Sequence, residues 1–297
     1  MRNLFRIHFK RFLFRWEAIA VSLINIFLGI FSAIFIPEMY TDAFSGSEYF
    51  YPALYLTSLS VTMSSVIMME SNSLNNGTIR NQLIAGYTKL QVYLSKYITD
   101  FIYGIMQGIL MMWMLPFSGI ADNCSLLFAV SLILVYGAVS CIVMTFCILS
   151  DRRATSVLIC IACLFTLMLG GINIAKRLDT QKYIYESSRD HETVVKTENL
   201  FYIDSPIRDV FEQAVRLNPM QPIYEYILWY LPRDEFYYTP NVTRMDYDPV
   251  YNLQWTQIEA EYQRHIGRLN VFPIYQICFI VAVCTVGVTI FRKRDLK

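Results

Sequence analysis

The sequence predicts an all-α polytopic membrane protein. It has six transmembrane helices, an N-terminal interfacial helix, a short cytoplasmic helix, and a mainly helical extracellular lobe between spans 5 and 6. Three observations predict this. First, of 297 residues 55% are hydrophobic and only 16% charged, with mean hydropathy +0.37, whereas a soluble domain carries about 25% charged residues. Second, six uncharged windows approach or exceed the roughly 20 apolar residues that cross a bilayer as helix. Third, the Lys and Arg residues between the windows segregate to alternate connections, as the positive-inside rule requires.

The windows are Ala18–Ile36, Tyr51–Met69, Phe101–Ile120, Ser125–Ser150, Ala154–Ala175 and Leu269–Phe291. Each is continuously apolar, without the inside–outside alternation of a barrel strand. The first is too long for the roughly 7–15-residue core of a signal peptide and is expected to stay as a span. Basic residues precede span 1 (Arg2, Arg6, Lys10, Arg11, Arg15), separate spans 2 and 3 (Arg80, Lys89, Lys96) and spans 4 and 5 (Arg152, Arg153), and follow span 6 (Arg292, Lys293, Arg294, Lys297). The connections Pro37–Phe50 and Ala121–Cys124 have none. Both termini are therefore expected in the cytoplasm, with Lys176–Arg268 outside. The net charge of +1 hides a basic inner side and an acidic outer side, and offers no basic excess for nucleic acid.

The elements follow in order. Residues 1–16 are basic and Phe-rich. Phe5, Phe9, Phe12 and Trp16 fall on one helical face, which suits a helix lying on the inner leaflet; a plain basic flank that fixes topology is the alternative. Residues 17–175 hold spans 1–5. Within them, Asn75-Asn76-Gly77 signals a turn, Thr78 is placed to cap a short helix, and Gly86 to close it. Thr88-Lys-Leu-Gln91 reads as a capping box starting the helix that leads into span 3. Ile79, Leu83 and Ile84 give the short helix an apolar face, with Arg80, Asn81 and Gln82 around it. That combination suits a docking element for a cytosolic partner, and equally a folded loop on the lipid surface.

The external segment, residues 176–268, is long enough to fold. Tyr183–Lys196 has β-character. Ser205-Pro206 opens a helix with Ile207, Val210, Phe211, Ala214 and Val215 at helical spacing, and Asn218-Pro219 ends it. Pro222–Leu231 is a second, aromatic helix. Asp248-Pro249 opens a third that runs toward span 6, with a bend expected near Gly267 and Pro273. The lobe's Tyr and Trp residues fit either an interfacial position over the mouths of the spans or a substrate surface. Asn241-Val-Thr243 is a glycosylation sequon with nothing else to support its use. Residues 269–297 are span 6 and a basic tail.

The chemistry census is short. His8, His191 and His265 are the only histidines and none is in a span. No nucleophile elbow, H-E-x-x-H or P-loop occurs. No catalytic or metal-binding residue is therefore assigned, and no cofactor is expected to bind directly. The pair Cys160/Cys163 lies inside span 5 and reads as packing, since redox and zinc motifs need accessible thiolates. Glu17, Glu70 and Asp100 sit at cytoplasmic span ends, where pairing is expected: Glu17 with nearby Arg15, and Asp100 with Lys96 one turn away. Gly104 and Gly108 form a G-x-x-x-G suited to close helix packing or dimerisation.

Two stretches carry a family resemblance. Glu70 with Asn76-Gly-Thr-Ile-Arg-Asn-Gln-Leu-Ile-Ala-Gly86, and the terminus Gly287-Val-Thr-Ile-Phe-Arg-Lys-Arg-Asp-Leu-Lys297, are similar to sequences common in ABC-2-type permeases of Gram-positive bacteria. These are the membrane subunits of type V ABC exporters, and the whole plan of spans resembles theirs. The resemblance implies that residues 77–86 (Gly77, Thr78, Ile79, Arg80, Asn81, Gln82, Leu83, Ile84 and Gly86 among them) form a coupling helix seated on a separate ATPase, and that residues 3–16 form an elbow helix. It implies two ATPase subunits holding ATP and Mg, a second permease chain, identical or not, surrounding membrane lipids, and residence in the bacterial cytoplasmic membrane. Export of a peptide, drug or amphiphile, or bacteriocin immunity, would be the activity. A non-transporting receptor whose lobe binds a ligand is the competing reading.

Overall fold

A computed structural model describes residues 2–41, 50–75, 77–113, 126–149, 153–178, 180, 182–187, 194–225 and 249–293. It is mostly helical. In chain order the helices are α1 (Arg2–Leu13), α2 (Trp16–Thr41), α3 (Phe50–Asn75), α4 (Thr78–Ile84), α5 (Lys89–Met112), α6 (Leu126–Leu149) and α7 (Arg153–Leu178). Then come the strands β1 (Tyr183–Ser187) and β2 (Val194–Glu198), and the helices α8 (Ile207–Leu217), α9 (Gln221–Glu225) and α10 (Pro249–Lys293).

Among the described residues four helices are long and apolar enough to cross a membrane, in the stretches Ala53–Ser71, Ala129–Ile148, Val157–Leu178 and Gly267–Lys293. Helix α2 contributes a shorter apolar stretch, Trp16–Ser32. Helix α5 carries Lys96, Asp100 and Gln107, and all three are buried. A helix enclosed by α1, α2, α3, α6 and α10 meets protein rather than lipid along much of its surface, so it tolerates polar groups that a lipid-facing helix would not.

Helix α6 is the hub, packing on α5, α10, α3 and α7. It is apolar all round, as a helix enclosed by protein should be. Leu132, Val135, Tyr136, Val139, Val143 and Met144 are almost wholly buried. At the α4 end, α5 is tied to both neighbours. Tyr93 donates to or accepts from Thr145 at 3.0 Å, and Tyr97 donates to the Ile280 carbonyl at 2.5 Å.

Several expectations are corrected. Helix α1 ends at Leu13, and Trp16 begins α2, so Trp16 does not extend the aromatic face of α1. The buried face of α1 is Leu4, His8 and Phe12, turned to α5, with Phe12 edge-on to Tyr103 at 4.5 Å. The β-character expected over Tyr183–Lys196 is borne out as an antiparallel pair, in register from Tyr183 opposite Glu198 to Ser187 opposite Val194. Helix α8 begins at Ile207, with no side-chain cap from Ser205; that hydroxyl donates instead to Asp209 at 3.0 Å. The third helix does run into span 6, since α10 is continuous through Gly267 and Pro273. The later part of the aromatic helix, 226–231, and the sequon at Asn241 lie outside the described residues.

The lobe does not lie wholly over the mouths of the spans. The turn after α8 descends between helices: Asn218 donates to the Leu167 carbonyl at 2.7 Å, and Gln276 donates to the carbonyls of Ser131 at 3.1 Å and Pro219 at 3.4 Å. Leu167 lies eleven residues before the end of α7, so at 1.5 Å per residue the turn sits about 16 Å down that helix. Gly171 makes the approach possible, since a Cβ there would stand 2.2 Å from the Asn218 amide. Non-helical backbone at such depth is tolerated where protein buries it, and Asn218, Pro219 and Met220 are all buried.

Candidate functional site

The short helix α4 is shaped by two glycines. Gly77 holds its N-cap position at φ 63°, and Gly86 follows it at φ 92°, a region that costs residues with a Cβ about 1–2 kcal/mol. Thr78 is the first helical residue and not the expected cap, since α4 has no side-chain cap. At the other end Gly86 N–H donates to Leu83 at 3.0 Å and Tyr87 N–H to Gln82 at 3.2 Å, which is the Schellman closure. The expected capping box follows: Gln91 N–H donates to Thr88 Oγ at 3.2 Å, and Thr88 N–H to the Gln91 side chain at 3.0 Å. Helix α4 is thus about two turns long, between two fixed corners.

Its faces divide differently from the expectation. Ile79 is 3% exposed, and Leu83 packs against the core, so these two anchor α4 to the bundle. Gln82 reaches α1, with its amide 2.9 Å from the His8 ring. The outward side carries Arg80, Asn81, Ile84 and Gly86, with Ile84 74% exposed. An exposed aliphatic side chain rimmed by a cation and an amide is the residue mix of a docking surface.

Behind α4 lies a buried charge cluster. Lys96 donates to Glu70 at 2.6 Å, with both side chains almost fully buried. The expected i,i+4 pairing of Lys96 with Asp100 is not the hydrogen bond made. Asp100 is fully buried, and neither carboxyl oxygen has a hydrogen-bond partner. A void of about 20 Å³ beside Glu70 and Lys96, also lined by His8, Arg15 and Thr78, is of the size that holds one water. Glu17 is apart from this cluster. Among the described residues no ion pair joins it to Arg15, and it lines a separate cleft between α2 and α3.

Gly104 and Gly108 face α6 within the same chain. A Cβ at Gly104 would stand 2.5 Å from the Tyr136 carbonyl, and one at Gly108 3.1 Å from that of Ile133. Their use is close packing inside the bundle, and both are buried.

Two polar constellations were missed by the sequence reading. One ties α2, α3, α5 and α6 together. Asn25 accepts from Ser58 at 2.8 Å and donates to Thr62 at 3.1 Å and Gln107 at 2.9 Å; Gln107 donates to Ser22 at 2.9 Å and Tyr136 to Ser58 at 2.6 Å. Asn25 and Gln107 stand in apolar windows, where one amide hardly moves a hydropathy average. Their presence in such windows was the available signal.

The other is in the lobe. Arg268, 2% exposed, makes two 2.8 Å bonds to Glu212 and lies 3.5 Å from Glu225, itself fully buried. Burial alone would push the Glu212 carboxyl up. The hydrogen bonds and charge of Arg268, with Arg216 beside it, outweigh that and hold it below its usual range. Gln221 donates to Glu225 at 3.0 Å. The triad locks α8 and α9 to the start of the membrane-length stretch of α10. No group of three or more potential metal ligands occurs among the described residues.

No protein-family model, no curated protein sequence and no solved structure matches the chain. The functional reading therefore rests on the residues and geometry above.

Proposed function

We propose that this chain is the membrane-spanning permease subunit of an ATP-driven ABC exporter. It sits in the bacterial cytoplasmic membrane with six spans and both termini cytoplasmic, and works with two copies of a separate ATPase and a second permease chain. The observation that carries the proposal is α4: a short helix fixed at both ends by left-handed glycines, anchored inward by Ile79 and presenting Arg80, Asn81 and Ile84 outward. A rigid helix held this way passes a push from outside into α1 through Gln82 and His8 and into the bundle through Ile79 and Leu83. ATP would be bound and hydrolysed by the partner, with α4 as the contact that couples hydrolysis to the spans.

The test is co-expression with the products of the neighbouring genes, among which the proposal requires an ABC ATPase. The wild type should copurify with that ATPase, and Arg80→Glu combined with Ile84→Asp should abolish capture while leaving thermal stability unchanged. Absence of any ATPase from the purified wild type sinks the proposal. Ligand binding to the lobe that never stimulates ATP hydrolysis would favour a receptor instead.

A further inference from the structure

A cleft of about 790 Å³ opens between α2 and α3, inside the usual range of roughly 300–1,000 Å³ for ligand sites. Among the described residues lining it, Glu17 alone is charged. Trp16 stands beside Glu17 on α2 and is largely exposed. Val21, Leu56 and Met68 supply apolar wall. The α3 side also carries hydroxyls, and the protons of three are spent: Ser60 donates to the Leu56 carbonyl at 2.7 Å, Thr57 to Ala53 at 2.7 Å and Ser64 to Ser60 at 2.9 Å; the fourth, Ser65, shares a 2.9 Å bond with Tyr103. What those three hydroxyls turn toward a ligand is acceptor lone pairs. Among the described lining residues an anion would find the Trp16 indole N–H and, where Tyr103 donates in their shared bond, the Ser65 hydroxyl, and it would be repelled by the Glu17 carboxylate. A cation would find a carboxylate, hydroxyl oxygens and an indole face, the groups that attract it.

The lengthwise layout adds the second half of the ligand. Glu17 and Trp16 are at one end, with Met68. Leu56 lies twelve residues along α3 from Met68, about 18 Å at helical rise, long enough for an extended dodecyl chain. We propose that this cleft binds cationic amphiphiles, with the charged head on Glu17 and Trp16 and the tail running along α3 toward Leu56. As a transport site it rests on the permease reading and names its substrate class. As a binding site it is testable without any ATPase.

The full-length chain is reconstituted in nanodiscs of zwitterionic phosphatidylcholine, with empty discs as the baseline. Dodecylammonium, whose N–H groups can donate to the carboxylate, dodecyl sulfate and uncharged octaethylene glycol dodecyl ether are titrated by calorimetry. The cation should bind at least about tenfold more tightly than the sulfate. Glu17→Gln should lower cation affinity about tenfold, the scale of one charge-assisted contact, and leave the uncharged ether unchanged. Glu17→Lys should reverse the preference. Ser60→Trp, which fills the cleft from an exposed position, should abolish binding of all three. Equal binding of cation and sulfate, an unaltered cation affinity in Glu17→Gln, or binding that survives Ser60→Trp would each overturn the assignment. None of these substitutions is in α4, so ATPase capture reports separately on the permease reading.

Discussion

Replacing Arg268 with Met removes the guanidinium that bridges Glu212 and Glu225 while keeping most of the side-chain volume. In the wild type Arg268 is 2% exposed, with two bonds of 2.8 Å to one carboxylate and a 3.5 Å contact to the other, which is fully buried. Breaking a buried ion pair from one side costs about 3–5 kcal/mol, because the remaining charge stays buried without compensation. For a cooperative transition of a chain this long, that lowers the melting temperature by about 5–8 °C. The assay is thermal unfolding of the purified protein, repeated from pH 7 to pH 4.

The pH dependence has a definite sign. The Glu212 carboxyl is held low in the wild type. Its contribution to stability is therefore present above the unfolded carboxylate value of about 4.3 and lost as pH falls through the lower folded value. In Arg268→Met the Glu212 carboxyl keeps Arg216 but loses the guanidinium that does most to hold it low, so its value rises and that variant is relieved by acid. The gap between the two proteins should narrow from pH 7 to pH 5, and Glu225→Gln in the variant background should recover part of the loss. A gap below about 1 kcal/mol at pH 7, or one that widens on acidification, refutes the reasoning.

Three further outcomes follow from the buried contacts. Gly104→Ala forces a Cβ against the Tyr136 carbonyl at 2.5 Å and should cost about 1–3 kcal/mol in thermal or denaturant unfolding; a neutral result would mean that α5 and α6 are not closely packed. Lys96→Met should cost about 3–5 kcal/mol by stranding Glu70, whereas Asp100→Asn, at a carboxylate without hydrogen-bond partners, should leave stability unchanged or raise it. Equal damage from both would contradict the pairing described. Asn25→Leu should cost about 1–3 kcal/mol for each stranded partner among Ser58 and Gln107, and Ser58→Ala should cost less in that background than alone, the remainder being the 2.6 Å bond from Tyr136, as a double-mutant cycle would reveal.

The sequence made local features legible. Gly77, Gly86, Thr88 and Gln91 act through contacts within a few residues, so their roles at the ends of α4 and α5 could be read along the chain. Charge partners could not be read that way. Spacing suggested Asp100 for Lys96, but Glu70, 26 residues earlier, reaches the amine from the neighbouring helix. The helical wheel of α1 displayed its aromatics and did not say which side meets protein. The bundle takes Leu4, His8 and Phe12, leaving Phe5 and Phe9 partly exposed. Arg268 looked like an ordinary basic residue outside span 6. Its burial depends on α8 and α9 folding back onto α10, an arrangement that no periodicity within one segment encodes.

The central claim is that the outward face of α4 receives an ATPase. The most direct measurement is ATP hydrolysis by the reconstituted complex, with capture of the ATPase scored in parallel, for the wild type and for Arg80→Glu/Ile84→Asp. The account predicts that the wild type holds the ATPase and that the double variant, with unaltered melting temperature, loses both capture and permease-dependent hydrolysis. Full capture and hydrolysis in a stably folded double variant would contradict it.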